Sequence, residues 1–379
     1  MIAYSSQSLD NRDIQSEAAT ALARGIITAT EHERIVETYP FKLYTPNIYV
    51  RIGLFLLTVV VAAAGVGLTL LIGMGTGDNG IETLLILWGL ASYGALEFFI
   101  HSRGMFRCGV DDALLWIAGG LIYSGIAWVG GMPDNLSNGI ILILTTWGAL
   151  RYADSIMALV AYVALLELVF HPLILHGSAI TPFVFMAIAV ITYIFSTRMR
   201  TAESMRHYHI SLSLLRMAAL LTFYLAGNYF VAQHLNPGNE PVSVPLGWLW
   251  WIFTGIVPVA YIAYGLRKKD AILLWTGLAL VAASVFTVRY YHHILSAEAA
   301  MILAGTILIS GSYILIRYLR EPRHGFTSAA PEEPHPLQDL PIEQLIIAET
   351  FKSLPTQSPD QNPDFGGGSG GGAGASGTY

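Results

Sequence analysis

The sequence predicts an all-α integral membrane protein, a bundle of about ten transmembrane helices with both termini cytoplasmic. Three observations carry that expectation. Hydrophobic residues make up 54% of the 379-residue chain and charged residues only 12%, with a mean hydropathy of +0.55. A soluble domain carries about 25% charged residues, so most of this surface is built to face something other than water. Apolar runs near the length needed to cross a bilayer recur along the chain, and Lys and Arg fall into alternate loops.

The elements follow in order. Residues 1–51 read as a cytoplasmic helical hairpin and pre-membrane segment. Gly25 is expected to separate two helices, and Thr28 with Glu31, or Thr30 with Glu33, has capping-box spacing before "RIVETY". Ile14, Ala18 and Leu22 give the first helix a modest apolar face, suited to the membrane surface or the protein's own core. The first forty residues are polar, so no cleavable secretory signal is expected there and the first apolar run would direct insertion. Ten spans are expected at approximately 52–73, 81–100, 113–131, 136–150, 154–173, 178–196, 213–233, 247–265, 271–288 and 298–317. In lipid a backbone must satisfy its own polar groups, so each run has to be helical. Residues 318–379 read as a cytoplasmic tail with one short helix and a disordered Gly-rich end.

The loops set sidedness. Lys42 and Arg51, Arg103 and Arg107, Arg151, the Arg198–Arg206 loop, "GLRKKD" and Arg317–Arg323 fall on one side if every run spans. That places them in the cytoplasm of an inner membrane, N-in and C-in, and requires the short fourth run to be a real helix. Arg289 is the one cation expected on the outer side. Trp248, Trp250 and Trp251 mark the outer start of the eighth span. Gly89, Ala91, Gly94 and Ala95 in the second span, and Gly119, Gly120 and Gly125 in the third, read as helix-packing positions.

The N-terminal phrase "ALARGIITATEHERIVETYP" leading into "NIYVRIGLFLLTVVV", and the closing "VRYYHHILSAEAAMILAGTILISGSYILIRYLR", resemble an uncharacterised bacterial family of predicted membrane proteins. In that family a short cytoplasmic helical segment precedes eight to ten spans. The resemblance implies fold and location and supplies no catalytic residues.

Candidate chemistry is sparse. "GTGDNG" at 75–80 fits a dinucleotide fingerprint but lies between two apolar runs, where it reads as a turn. A lone Cys108 excludes internal disulfides and thiolate metal clusters, and reads as an inert small residue. No cofactor, no metal site and no nucleic-acid partner is expected. Arg151 and Asp154 have the spacing of a brace across the tight turn "LRYADS". Arg216 is expected to snorkel back to the interface. A further set of polar and ionisable groups is expected to face outward: Glu167 and His171 on one face of the fifth span, Asn228 on the seventh, Arg289, His292 and His293 at the end of the ninth, Glu298 opening the tenth. Together they form a candidate outer-side pocket, with an Arg–Glu brace as the plainer reading.

A non-catalytic scaffold, sensor or accessory subunit fits these features best. A secondary transporter with an outward His/Glu pocket comes second, and an intramembrane enzyme acting on lipid or envelope substrates third. The bilayer is one partner; a protein partner would engage through 1–39, 197–212 or 341–353.

Overall fold

A computed structural model describes residues 2–73, 80–128, 133–175, 180–234 and 247–291, with scattered positions between 302 and 317. The described elements are helical throughout. Two short helices, α1 (Ser6–Ala23) and α2 (Ala29–Thr38), precede a run of long ones. These are α3 (Ile48–Gly73), α4 (Ile81–Arg103), α5 (Val110–Trp128), α6 (Asp134–Tyr152), α7 (Ser155–Leu175), α8 (Thr181–Arg200) and α9 (His209–Gly227). The six-residue α10 (Tyr229–His234), then α11 (Gly247–Lys268) and α12 (Ala271–Tyr291), follow. Eight of these helices are long and apolar enough to cross a membrane. The exception among the long ones is α6, which carries Asp134 and Arg151 at its ends yet forms a full 19-residue helix.

Consecutive helices pair as hairpins: α4 with α5, α6 with α7, α8 with α9, and α11 with α12. Helix α3 packs against α5, while α9 packs against α7, α11 and α12 and so joins the later hairpins. The small residues explain the closest approach. A Cβ on Gly89 would lie 2.6 Å from Ile122 of α5, and one on Gly125 would lie 2.6 Å from Ile86 of α4. Glycine at these positions lets the two backbones meet, the main packing device where lipid solvates apolar surface. Gly94 and Gly120, read the same way in the sequence, have no such neighbour within 4 Å.

The turns α4–α5, α6–α7, α8–α9 and α11–α12 lie at one end of the bundle, with Arg103, Arg107, Arg151, Arg200, Arg206 and Lys269. This basic end also receives the N-terminal hairpin. Gly25 at φ +67° turns the chain between α1 and α2, a left-handed conformation that costs glycine little. Of the two capping boxes the sequence allows, Thr28–Glu31 forms: the Thr28 N–H donates to Glu31 Oε2 at 2.8 Å, and Glu31 N–H donates to Thr28 Oγ1 at 3.3 Å.

The hairpin rests on the bundle itself. Tyr4 and Leu9 are buried in one cluster with Leu96, Ile100, Phe106, Leu114, Tyr152 and Met157. The Ala3 N–H donates to the Arg151 carbonyl at 2.7 Å, and Tyr44 pairs by backbone hydrogen bonds with the α4–α5 loop.

Two expectations change. The seventh span is interrupted: α9 ends at Gly227, Asn228 is extended (φ −75°, ψ 133°), and α10 restarts the helix. Arg216 does not snorkel. It is 6% exposed, because Asp270 at the α11–α12 turn offers a nearer counter-charge than the interface. "GTGDNG", apart from Gly80, and the tail after 318 lie outside the described residues.

Candidate functional site

The basic end is where the ionisable side chains converge, and its geometry begins with the loop "GMFRCGVDD" before α5. Arg107 and Gly109 take positive φ (49° and 94°), so three successive amides turn inward toward one carboxylate. Asp111 accepts from Arg107 N–H at 2.6 Å, Cys108 N–H at 2.9 Å and Gly109 N–H at 3.1 Å. The carboxylate thus satisfies donors that a buried loop would otherwise strand. The Tyr4 hydroxyl donates to the same carboxylate at 3.4 Å, so the N-terminal segment reads this loop directly. Burial, and then the Asp111 charge, push the Tyr4 phenol well above its ordinary value. Burial likewise pushes the Cys108 thiol up to about 11, which keeps it an unreactive thiol.

Charged pairs then tie neighbouring helices together. Arg51 of α3 donates through Nε and Nη2 to Asp112 Oδ2 of α5, at 3.0 and 2.6 Å. Arg151, at the end of α6, makes a two-pronged contact with Glu97 of α4, Nε to Oε1 and Nη2 to Oε2, each at 3.1 Å. The hydroxyls of Tyr152 (2.7 Å) and Tyr93 (3.0 Å) donate to the same Oε1. Two-pronged Arg–carboxylate geometry fixes direction as well as distance, so α4 and α6 are locked in register. Arg216 of α9 reaches Asp270 and the Tyr193 hydroxyl of α8. In the hairpin, Asp10 accepts from Arg206 Nη2 at 2.5 Å and lies 3.6 Å from His207 Nε2.

Each member of the expected Arg151–Asp154 brace has a partner the sequence did not indicate. Arg151 meets Glu97, 54 positions earlier, and Asp154 Oδ1 accepts the Met157 N–H at 2.6 Å, capping α7. A cleft of about 390 Å³ between α3, α5 and α7 is lined by Arg51, Asp112, Asp154 and Trp116.

The outer-side candidates are placed as follows. Glu167 is exposed on α7 and borders a cleft of about 260 Å³ with Phe185 of α8 and Thr222 and Leu225 of α9. His171 is half-buried one turn further on, and α7 continues through Pro172 to Leu175. Arg289 is exposed in the last turn of α12. His292, His293 and Glu298 lie outside the described residues.

Asn228 is the candidate with the fullest environment. It is 3% exposed at the α9 break. Its Nδ2 donates to the Tyr224 hydroxyl at 3.0 Å and to Thr287 Oγ1 of α12 at 3.1 Å, while its Oδ1 accepts the Phe230 N–H at 2.9 Å. The Tyr229 N–H, freed by the break, donates to Thr254 Oγ1 of α11 at 3.1 Å. Around this node Tyr229 stacks on Trp251 at 4.6 Å, and Phe230 meets Tyr290 edge-on at 4.9 Å.

Sequence reading missed Glu97, Tyr93, Asp111, Asp112, Thr254 and Thr287. A signal existed for the first two: Tyr93 and Glu97 stand four apart in an otherwise apolar helix, hence on one face. For Thr254 and Thr287 there was none, since threonine inside a span commonly bonds its own helix.

Among the described residues, no group of three His, Cys, Asp or Glu side chains is placed to hold a metal ion. The arrangement is one of braces and caps around helices suited to lipid, which defines an all-helical membrane-embedded protein. Comparison with protein-family models, with curated proteins and with solved structures finds no match.

Proposed function

We infer that this chain is a multi-pass inner-membrane protein of the uncharacterised bacterial kind it resembles, acting as a non-catalytic scaffold, sensor or accessory subunit. Ten spans with both termini in the cytoplasm belong to this reading. The observation that carries it is how the charges at the basic end are spent. Arg51–Asp112, Arg151–Glu97, Arg216–Asp270 and Arg206–Asp10 each join two separate elements, and the last fastens the α1–α2 hairpin beneath the bundle. Charged groups committed to such bridges hold geometry; a reaction centre needs groups left to act on a substrate. The outcome is a rigid platform carrying a small helical hairpin on its cytoplasmic face.

The transporter reading has one observation in its favour. The α9 break at Asn228 faces α11, which carries Pro258 within the helix, and interrupted helices lined by polar groups are the usual substrate sites of transporters.

Complementation of a strain lacking the gene separates the two. The platform reading expects Tyr4→Ala/Asp10→Ala/Arg206→Ala, which removes both the buried anchor and the ion pair of the N-terminal segment, to lose function while Glu167→Ala/His171→Ala and Asn228→Ser retain it. Loss in the second pair with retention in the first would overturn the platform reading in favour of an outer pocket.

A further inference from the structure

A cleft lies beside the Arg216–Asp270 brace, with Tyr193 in its wall. It measures about 630 Å³ and runs between α8, α9 and α11. Ala189, Ala219, Ala260 and Ala263 line it, and their small side chains leave a trough between larger neighbours. Three of its walls are helices long and apolar enough to cross a membrane, so the cleft opens at membrane depth. An occupant there must be soluble in lipid.

The polar groups of the cleft gather toward the basic end. Arg267 lines it, in the last turn of α11. Lys268 follows, its Nζ 6.0 Å from the centre of the Tyr264 ring, which also lines the cleft. Tyr193 lines the opposite wall, and behind it lies Arg216, whose Nε has no hydrogen-bond partner. Among the described residues the nearby carboxylate is Asp270, and it is engaged by Arg216. Among the described residues no carboxylate pairs with Arg267 or Lys268, so the described mouth carries positive charge above an apolar trough. That is the chemistry of a phospholipid with a net negative headgroup: an acyl chain in the trough, a phosphate at Arg267 and Lys268.

We propose that the α8–α9–α11 cleft is a binding site for an anionic membrane phospholipid from the leaflet at the basic end. A neutral phospholipid would fill the trough equally well but gain nothing from the mouth. A free phosphate would engage the mouth but leave the trough empty.

The test uses the full chain in neutral detergent, with quenching of its tryptophans by brominated phosphatidylglycerol or brominated phosphatidylcholine. Wild type is expected to bind phosphatidylglycerol at least tenfold more tightly. Arg267→Gln/Lys268→Gln should lose that preference, about fivefold for each charge at about 1 kcal/mol apiece, with phosphatidylcholine binding unchanged. Ala263→Phe, at an exposed groove position, should weaken both lipids by filling the trough without adding a tryptophan to the readout. Glycerol 3-phosphate at millimolar concentration should not compete. Equal binding of the two lipids by wild type, an unchanged preference in the double variant, or full competition by glycerol 3-phosphate would each overturn the proposal. Should Ala263→Phe unfold, as read by circular dichroism, the charge variant and the competition still decide.

Discussion

At the scale of single residues, the buried ion pairs give the sharpest expectations. Arg216 is 6% exposed and its charge is balanced by Asp270. Desolvating two charges costs about as much as their attraction returns, so the pair as a whole adds little stability. Removing one partner is different, because the other charge stays buried. Asp270→Asn should therefore destabilise the detergent-solubilised protein by about 3 kcal/mol in a denaturant titration, whereas Arg216→Leu/Asp270→Leu should cost clearly less. A double variant worse than the single would mean that the pair itself is stabilising. Gly109 offers an independent case. It sits at φ +94°, and a Cβ there would run into the Arg51 carbonyl of α3. Gly109→Ala is expected to strain the backbone and separate α3 from α5, for a loss of about 2 kcal/mol or more in the same titration. The sequence signalled neither effect. It shows that Gly109 and Asp111 are close together, but not that the loop coils its amides around a carboxylate.

At the scale of elements, two helix ends can be tested. The Glu31 carboxyl is held below its ordinary value by the Thr28 amide and then the Thr28 hydroxyl. Because the folded value is depressed, the capping contribution is fully present above the ordinary glutamate value of about 4.3 and is lost as pH falls through the depressed one. Amide exchange in the first turn of α2 should accelerate only in that acid window, and Glu31→Gln should abolish the pH dependence. The α9 break is the second. Asn228→Ala removes the acceptor for the Phe230 N–H and the donor to Tyr224 and Thr287, a loss of hydrogen bonding at a buried break worth about 1–3 kcal/mol. Faster exchange confined to α10 and the end of α12 is the expected signature. These elements also show how far the sequence could be read. Apolar length located nearly every long helix to within a few residues, since lipid leaves the backbone no other choice. It could not show the break at Asn228, because 213–233 is apolar enough as a whole to read as one span, while the partners that hold the break, Thr254 and Thr287, lie on other helices. The capping box was legible because all of its partners fall within four residues.

At the scale of the whole molecule, everything about sidedness turns on α6. The bundle is a series of hairpins, and four of its turns share the basic end with the N-terminal hairpin. That arrangement requires α6 to run the full way between the α5–α6 connection and the α6–α7 turn, although it is the one long helix whose composition falls short. Its length is adequate: 19 residues at about 1.5 Å each give close to 30 Å, the thickness of the hydrocarbon core. Its shortfall is one of composition, with Asp134 in its first turn and Arg151 in its last, and Arg151 is paired with Glu97. The pairing with Glu97 holds the α6 C-terminus beside the basic end of α4, so a half-inserted α6 would have to break it. Reporter enzymes inserted after Pro133 and after Ala153 should thus report opposite compartments, the first outside and the second in the cytoplasm. Glu97→Gln should weaken that segregation more than the equally conservative Glu167→Gln, because only Glu97 anchors α6. If both insertions report one compartment, α6 does not cross, every later helix reverses, and Arg267 and Lys268 would face the outer leaflet.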